Sequence, residues 1–159
     1  MSISYVLTVP ANTRVQAQTS AGSVRAVGLA GKFTAETGAG NIELRRAFGA
    51  DIDVRTSAGN IKVSGAKLAL FARTGAGNIE VEGAPMAGWG VQTSSGNITL
   101  RLPTNAAFQL KADTSAGSIT TVHSVTTEGI IKRNSLHGLV NGGGPLVEVR
   151  TGAGSIRLS

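Results

Sequence analysis

The sequence has no cysteine, only four prolines and few aromatic residues, which make up 4% of its 159 residues. Without cysteine, neither a disulfide framework nor a thiolate metal site can form. No apolar run approaches the roughly 18 residues of a membrane-spanning helix, so no membrane span is expected. The first residues also lack the basic start and apolar stretch of a signal peptide. What is present, 41% hydrophobic residues and 22 glycines, indicates one domain with a thin core of small side chains.

Charged residues are also scarce, at 15% of the chain, but basic residues outnumber acidic ones and the formal net charge is +6. A basic balance favours acidic partners such as nucleic acid, an anionic surface or an anionic glycan, whereas the simpler interpretation is that the charge serves solubility. The longest basic runs are two pairs, Arg45-Arg46 and Lys132-Arg133. Charge alone therefore does not decide the function.

A hexapeptide recurs seven times and reads Thr, Ser or Gly, Ala or Ser, Gly, Asn or Ser, then Ile or Val. It begins at Thr19, Thr37, Thr56, Thr74, Thr93, Thr114 and Thr151, with spacings of 18, 19, 18, 19, 21 and 37 residues. The last spacing is about two repeats, which predicts one degenerate coil between Thr114 and Thr151. A fixed period of this length is typical of a solenoid.

Apolar residues occupy four columns around the threonine, at four and two positions before it and five and seven positions after it. In the third repeat these are Ile52, Val54, Ile61 and Val63, and the only polar residue in any of the four columns is Thr121. The residues between the columns are mostly polar, so each repeat reads as two short strands of period two. The threonine continues the inward parity of the first strand, with its hydroxyl available to the turn backbone.

These patterns predict an all-β, single-domain parallel β-solenoid of about eight coils of 18–19 residues, with a three-sided cross-section. An antiparallel meander of hairpins is the main alternative. Residues 1–14 are expected to form a first strand or cap, 15–121 regular coils, 122–146 an irregular excursion and 147–159 the last coil. Because the chain stops just after its last apolar column, we expect a bare C-terminal coil edge. That edge would either pair with another copy, end to end, or be covered by the excursion at 125–145.

Three further columns have structural explanations. The charges of Arg25, Glu43, Lys62 and Glu80 alternate in sign along one strand face, which favours this register. Four asparagines in successive coils are expected to form a hydrogen-bonded ladder; they are Asn41, Asn60, Asn78 and Asn97. A glycine three positions after each threonine is expected to form a corner that a Cβ would obstruct; these are Gly22, Gly40, Gly59, Gly77, Gly96, Gly117 and Gly154.

The segment Leu7-Thr8-Val9-Pro10-Ala11-Asn12, the recurring Thr-Ser-Ala-Gly-Asn-Ile and the closing Asn141-Gly142-Gly143-Gly144-Pro145 together resemble a bacterial adhesin-like repeat family of unknown function. Bactofilins, which polymerise as β-helices, are similar in coil length only. The resemblance implies a β-solenoid of the bacterial cell envelope or the extracellular space, and it brings no catalytic residue.

Residues suited to catalysis do not form a pattern in the sequence. His123 and His137 stand near no patterned acid or nucleophile, and the glycine-rich turns lack the aspartates of calcium-binding β-rolls. Two acid pairs on single strand faces do not recur in neighbouring coils and suit a solvated surface; they are Asp51 with Asp53 and Glu80 with Glu82. We therefore expect no catalytic residue, no cofactor, no metal site and no small-molecule substrate.

Three functions remain as hypotheses. The first is a non-catalytic structural or adhesive scaffold that self-associates through its coil ends. The second is a binding module for an anionic glycan or nucleic acid, with a basic face formed by Arg45, Arg46, Arg55 and Arg73. The least favoured is a β-helix enzyme that acts on polysaccharides, which would need a groove lined by several acids.

Overall fold

The computed structural model describes residues 5–8, 14–28, 30–47, 49–123, 125–127 and 132–159, and the strands in these ranges form two sheets. No helix that could cross a membrane occurs within these ranges. The strands are β1 (Tyr5–Thr8), β2 (Val15–Ala21), β3 (Val24–Val27), β4 (Ala30–Ala39), β5 (Ile42–Arg45), β6 (Gly49–Ala58), β7 (Ile61–Ala66), β8 (Leu70–Ala76), β9 (Ile79–Gly83), β10 (Trp89–Ser95), β11 (Ile98–Arg101), β12 (Phe108–Ala116), β13 (Ile119–Thr121), β14 (Val125–Thr127), β15 (Ser135–Val140), β16 (Leu146–Ala153) and β17 (Ile156–Leu158).

Sheet I has the order β1-β3-β5-β7-β9-β11-β17-β13, and sheet II the order β14-β15-β12-β16-β10-β8-β6-β4-β2. Each repeat supplies one strand to each sheet, so we number the coils 1 to 7 in chain order, from β2–β3 to β16–β17. Equivalent columns pair in parallel, as in Thr37 with Thr56 and Ile42 with Ile61. The parallel β-solenoid predicted from the repeat is confirmed, and the coils do not form the alternative antiparallel meander.

The cross-section and the number of coils differ from expectation. Among the described residues the third side is not a separate sheet. The segments between repeats either extend the strands, as at the start of β4 and β6, or are irregular, as at residues 84–88 and 102–107. The hexapeptide occurs in seven coils. The degenerate coil expected between Thr114 and Thr151 is not formed by the described residues there, which contribute β14 and β15 instead.

The core lies between the two sheets and follows the predicted parity. Ile52, Val54, Ile61 and Val63 are all buried, and the equivalent residues of the other interior coils are buried as well. Trp89 is the largest buried side chain, and its Nε1 donates a hydrogen bond to the carbonyl of Leu68 at 2.8 Å. Small and branched side chains in stacked columns thus close a thin core without many aromatics.

The threonines of the column are also buried, apart from the half-buried Thr19 of coil 1, and their hydroxyls are paired. Thr74 is only 1% exposed, and its Oγ1 donates to the carbonyl oxygen of Gly59 in the preceding coil at 3.1 Å. Thr56 makes the same contact with Gly40 at 3.3 Å. Because the buried hydroxyl keeps a hydrogen bond, burial of threonine at this position does not leave an orphaned polar group.

The last coil lies inside the rod rather than at its end. β16 lies between β10 and β12, and β17 lies between β11 and β13, with parallel pairing on both sides. The coils therefore stack in the order 1-2-3-4-5-7-6. The expectation of a bare C-terminal coil edge is wrong, because the strands of residues 146–158 have neighbours on both sides.

Two features of the sequence agree with this insertion. The spacing of 21 between Thr93 and Thr114 leaves a longer connection, which lets coil 6 lie two strand spacings, about 10 Å, from coil 5. The residue after each threonine alternates strictly between serine and glycine only in the spatial order, which is Ser20, Gly38, Ser57, Gly75, Ser94, Gly152 and Ser115.

The alternation has a steric reason. A Cβ on Gly38 would lie 2.5 Å from the carbonyl oxygen of Ser20, and a Cβ on Gly152 would lie 2.6 Å from that of Ser94. The backbone of the preceding serine coil thus excludes a side chain at each of these glycines. Insertion of the Gly152 coil separates the serines of coils 5 and 6, which are adjacent in chain order.

The irregular segment closes the coil 6 end of sheet II. β15 pairs with β12 in the antiparallel direction, and β14 pairs antiparallel with β15. The excursion thus covers an end of the rod, which was one of the two expectations from the sequence. The strand that it covers is β12, however, and not a strand of the C-terminal coil.

Candidate functional site

The outer face of sheet II carries a row of polar side chains from the position before each threonine. Arg55 on β6 stands directly beside Arg73 on β8, and Arg73 stands beside Gln92 on β10. The inserted coil then places Arg150 beside Gln92. The row therefore contains two of the predicted basic contacts together with Arg150, which sequence order hides because 58 residues separate Thr93 from Thr151.

A depression of about 340 Å³ lies beside this row. Its floor includes Gly90, which has no side chain, and the ring of Phe71 on the neighbouring strand lies over it: a Cβ on Gly90 would be 3.0 Å from Cδ1 of Phe71. Phe71 is 58% exposed, whereas most large apolar side chains of the described coils are buried. The result is an aromatic surface next to cationic groups.

The three arginines of the row differ in their partners. Arg55 Nε lies 3.2 Å from Asp53 Oδ1, and Arg150 Nη2 lies 2.7 Å from Glu148 Oε1. Arg73 Nη2 donates to Gln92 Oε1 at 2.8 Å, and no described carboxylate lies within ion-pair distance of Arg73. Arg73 is therefore the cation of this row whose charge is not balanced by an acid.

Two predicted basic contacts lie elsewhere. Arg45 is on β5 of sheet I, where its Nε lies 2.6 Å from Glu43 Oε1, and Arg46 follows β5 with a positive φ of 56°. Burial acts to raise the pKa of Glu43, but hydrogen bonds and charge from Arg45 and Arg25 outweigh it, so the pKa lies below its usual value. The structure does not bring Arg45 and Arg46 together with Arg55 and Arg73.

The asparagines and corner glycines form the sharp turn between the two sheets. The backbone amide of Asn60 donates to Asn41 Oδ1 at 3.0 Å, and that of Asn78 donates to Asn60 Oδ1 at 2.9 Å. The ladder continues to Asn97. The corner glycines have φ between 129° and 151°, and a Cβ on Gly59 would overlap the carbonyl oxygen of Gly40. These residues hold the coils in register.

A cluster of Asp113, Ser135 and His137 was not expected from the sequence. Ser135 Oγ donates to Asp113 Oδ1 at 2.6 Å, and His137 Nε2 lies 3.1 Å from the same oxygen. The expectation that His137 stands near no acid is wrong, because β15 folds back antiparallel on β12 and pairs Ser135 with Asp113. The sequence separation between Asp113 and His137 does not predict this contact.

The geometry of this cluster does not suit nucleophilic catalysis. In a catalytic triad the base faces the nucleophile with one ring nitrogen and the acid with the other. Here Nε2 of His137 faces both Asp113 and Ser135, and the serine hydroxyl is already donated to the carboxylate. Burial acts to raise the pKa of Asp113, but hydrogen bonds from Ser135 and His137 and the charges of His137 and Arg150 lower it overall. The cluster ties β15 to β12.

Other candidate groups are paired or packed. Glu80 lies 3.4 Å from Arg101, so this acid belongs to a surface ion pair. The ring of His123 packs edge-on against Phe108, with centroids 5.9 Å apart. Across the described ranges no group of three or more metal-ligating side chains converges.

The family model Toastrack DUF4097 matches residues 3–159 of the chain. The chain belongs to this family. Toastrack is a domain of unknown function with a β-solenoid-like fold, which agrees with the two-sheet rod described above. No curated protein and no solved structure gives a significant match to this Toastrack chain. Family membership thus supports the fold and does not assign a function.

Proposed function

We propose that this Toastrack domain is a non-catalytic scaffold that binds an anionic polymer along the outer face of sheet II. The observation that carries the proposal is the arginine row, in which Arg55, Arg73 and Arg150 lie on three of four successive strands. The other polar cluster, around Asp113, is arranged as a structural tie. The side chains of this face suit the binding of a ligand rather than catalysis.

The face offers a continuous path for an extended ligand. A second depression, of about 480 Å³, shares Arg55, Arg73 and Gln92 with the first. A third, of about 410 Å³, shares Gln92 and Arg150 with the first and reaches Lys132 beyond it. Between Arg55 and Arg150, a polymer that lies across the strands, parallel to the rod axis, would meet a polar or basic side chain at every step of about 4.8 Å. The acids Glu36 and Asp113 bound this stretch at its two ends.

Salt dependence tests this proposal. Contacts between arginines and a polyanion release counterions, so affinity falls as salt rises. Purified protein is titrated with a uronic-acid polymer, a sulfated glycan and single-stranded DNA at low and high salt. At least one should bind at low salt and dissociate at high salt. If none of them binds at low salt, the proposal is wrong.

Self-association through a coil end is a second candidate, favoured by the position of β2. This strand of seven residues is the last of sheet II at the coil 1 end, whereas the other end is closed by the shorter β14. Edge strands pair readily with other chains. Because the two ends differ, β2-to-β2 contact would produce a closed dimer rather than a filament.

Light scattering over a range of concentrations tests the dimer. Gln18→Lys adds a charge to β2 and should prevent association, while Gln109→Lys, on the interior strand β12, should not. A wild-type protein that remains monomeric at high concentration would exclude this mode of assembly.

A further inference from the structure

We infer that Arg55, Arg73 and Phe71 form a binding site for an acidic sugar residue, in which the two guanidinium groups hold the carboxylate or sulfate and the aromatic ring supports the sugar ring. This inference rests on the proposed function and adds to it the ligand class and the contacting residues. It is carried by three observations on the face of sheet II.

The first observation is an unfavourable charge pair. Arg55 and Arg73 stand directly opposite each other on neighbouring strands, and like charges in this arrangement repel. The acids Asp53 and Glu36 lie beside Arg55 and not beside Arg73. Elsewhere on the surface, neighbouring coils place opposite charges together, as in Arg25 with Glu43 at 3.0 Å. An anion between the two guanidinium groups would accept hydrogen bonds from both and turn the repulsion into attraction. Guanidinium presents several donors in a planar fork that suits carboxylate and sulfate oxygens.

The second observation is the partnering of these two side chains. Arg55 holds Asp53 with its Nε and Nη2. Arg73 has five N–H donors, and its hydrogen bond to Gln92 uses one of them. Arg73 is thus the stronger anion contact of the pair.

The third observation is the position of Phe71. Phe71 and Arg73 are two residues apart on β8, so both face solvent and lie about 7 Å apart along the strand. Because Gly90 has no side chain, the Phe71 ring lies against the strand there, next to the depression that both residues line. A sugar ring that packs on Phe71 would extend its acid group towards Arg73.

The surrounding side chains favour a glycan over a nucleic acid. Asp53 and Glu148 also line the depression. Their carboxylates can accept hydrogen bonds from the several hydroxyl groups that each sugar ring offers. Binding of single-stranded nucleic acid usually relies on several aromatic side chains that stack with successive bases, and the lining of this depression has one.

The test compares the affinities of an oligogalacturonate and of the same oligosaccharide with its carboxyl groups reduced to alcohols. The full-length variants are Arg73→Gln and Phe71→Ala. Arg45→Gln is the charge-matched control on sheet I, and Met86→Ala, at a side chain that is 68% exposed, is the apolar control. Melting temperatures of all variants should stay close to that of the wild type, since each change is at an exposed position.

We expect Arg73→Gln to weaken binding of the acidic oligosaccharide by about tenfold or more. Phe71→Ala should weaken it by about threefold or more. Both controls should bind like the wild type, and the reduced oligosaccharide should not bind.

Three results would overturn the inference in distinguishable ways. Salt-sensitive binding that is unchanged in Arg73→Gln and Phe71→Ala would place the polymer elsewhere and leave the proposed function standing. Stronger binding of single-stranded DNA than of the oligogalacturonate, lost in Arg73→Gln, would confirm the site but contradict the ligand class. No binding of any polyanion at low salt would exclude both the site and the proposed function.

Discussion

Asn97 and Ser155 are neighbours in the corner ladder although 58 residues separate them: the backbone amide of Ser155 donates to Asn97 Oδ1 at 2.8 Å. The threonine column shows the same order, because Thr151 Oγ1 donates to the carbonyl oxygen of Gly96 at 3.0 Å. Both contacts place the C-terminal coil directly on coil 5. The last residues of the chain are thus an interior layer of the rod, and they also supply Arg150 to the sheet II face.

A disulfide can test the inserted order. Ser118 Oγ and Ser155 Oγ lie 3.4 Å apart on coils 6 and 7, in a chain with no cysteine of its own. The double variant Ser118→Cys with Ser155→Cys should form an intramolecular disulfide on oxidation. Closure of this loop should stabilise the fold by about 4 kcal/mol, measured by chemical denaturation before and after reduction.

Asn97→Cys with Ser118→Cys is the pair that distinguishes the inserted order from simple chain order, in which coils 6 and 7 would also be neighbours. Because coil 7 lies between coils 5 and 6, residues 97 and 118 are two strand spacings, about 10 Å, apart and no intramolecular disulfide should form. Failure of the first pair to crosslink within one chain, or efficient crosslinking of the second, would therefore contradict the stacking order.

Side chains alternate between the core and solvent along each strand, which predicts very different losses of folding stability for substitutions at two adjacent residues. Ile61 is 1% exposed in the middle of sheet I, so Ile61→Asp buries a charge without a partner and should cost about 4 kcal/mol or more, or prevent folding. Lys62 faces solvent between Glu43 and Glu80. Lys62→Asp adds only surface repulsion and should cost about 1 kcal/mol. Equal melting temperatures of the two variants would contradict the assigned faces.

Corner glycines should tolerate alanine less well than loop glycines. Gly59 has a φ of 145°, and an added Cβ would overlap the backbone of Gly40, so Gly59→Ala should cost about 3 kcal/mol or more. Gly28 also has a positive φ, of 73°, but nothing lies within 4 Å of the added Cβ. Gly28→Ala should cost about 1–2 kcal/mol. Urea denaturation of the two variants measures the difference, and a similar midpoint for both would show that the corner is not sterically closed.

The tie between Asp113 and β15 should depend on pH. The pKa of Asp113 in the folded protein lies below its ordinary value of 3.8. Its stabilising contribution is therefore present above the unfolded-state pKa and is lost as pH falls through the folded-state pKa. Asp113→Asn should lower the melting temperature at neutral pH, and the difference from the wild type should vanish in strong acid. Ser115→Asn, an exposed change on the same strand, serves as the control and should shift the melting temperature little at either pH. A difference that grows towards acid would contradict this assignment.

Much of the rod could be predicted from the repeat, because side-chain direction alternates along a strand and identical columns pair when the strands are parallel. That local rule placed Ile61 inside and Lys62 outside. It also placed the threonines in the core and the asparagines on the corner. Two signals of the inserted coil were present as well, namely the 21-residue spacing and the alternation of serine and glycine, but their meaning is clear only in the spatial order.

What the sequence by itself determined is the two-strand coil, its inside and outside, and its corner glycine. The tertiary structure alone decided which coils are neighbours, because near-identical repeats can pair with one another in several orders and the local pattern does not distinguish them. The order in the structure agrees with three features: the backbone of Ser94 leaves no room for a side chain at Gly152, the connection before β12 is long, and β15 returns antiparallel on β12. That choice brings Arg150 to the arginine row and His137 to Asp113, over separations that no local pattern spans.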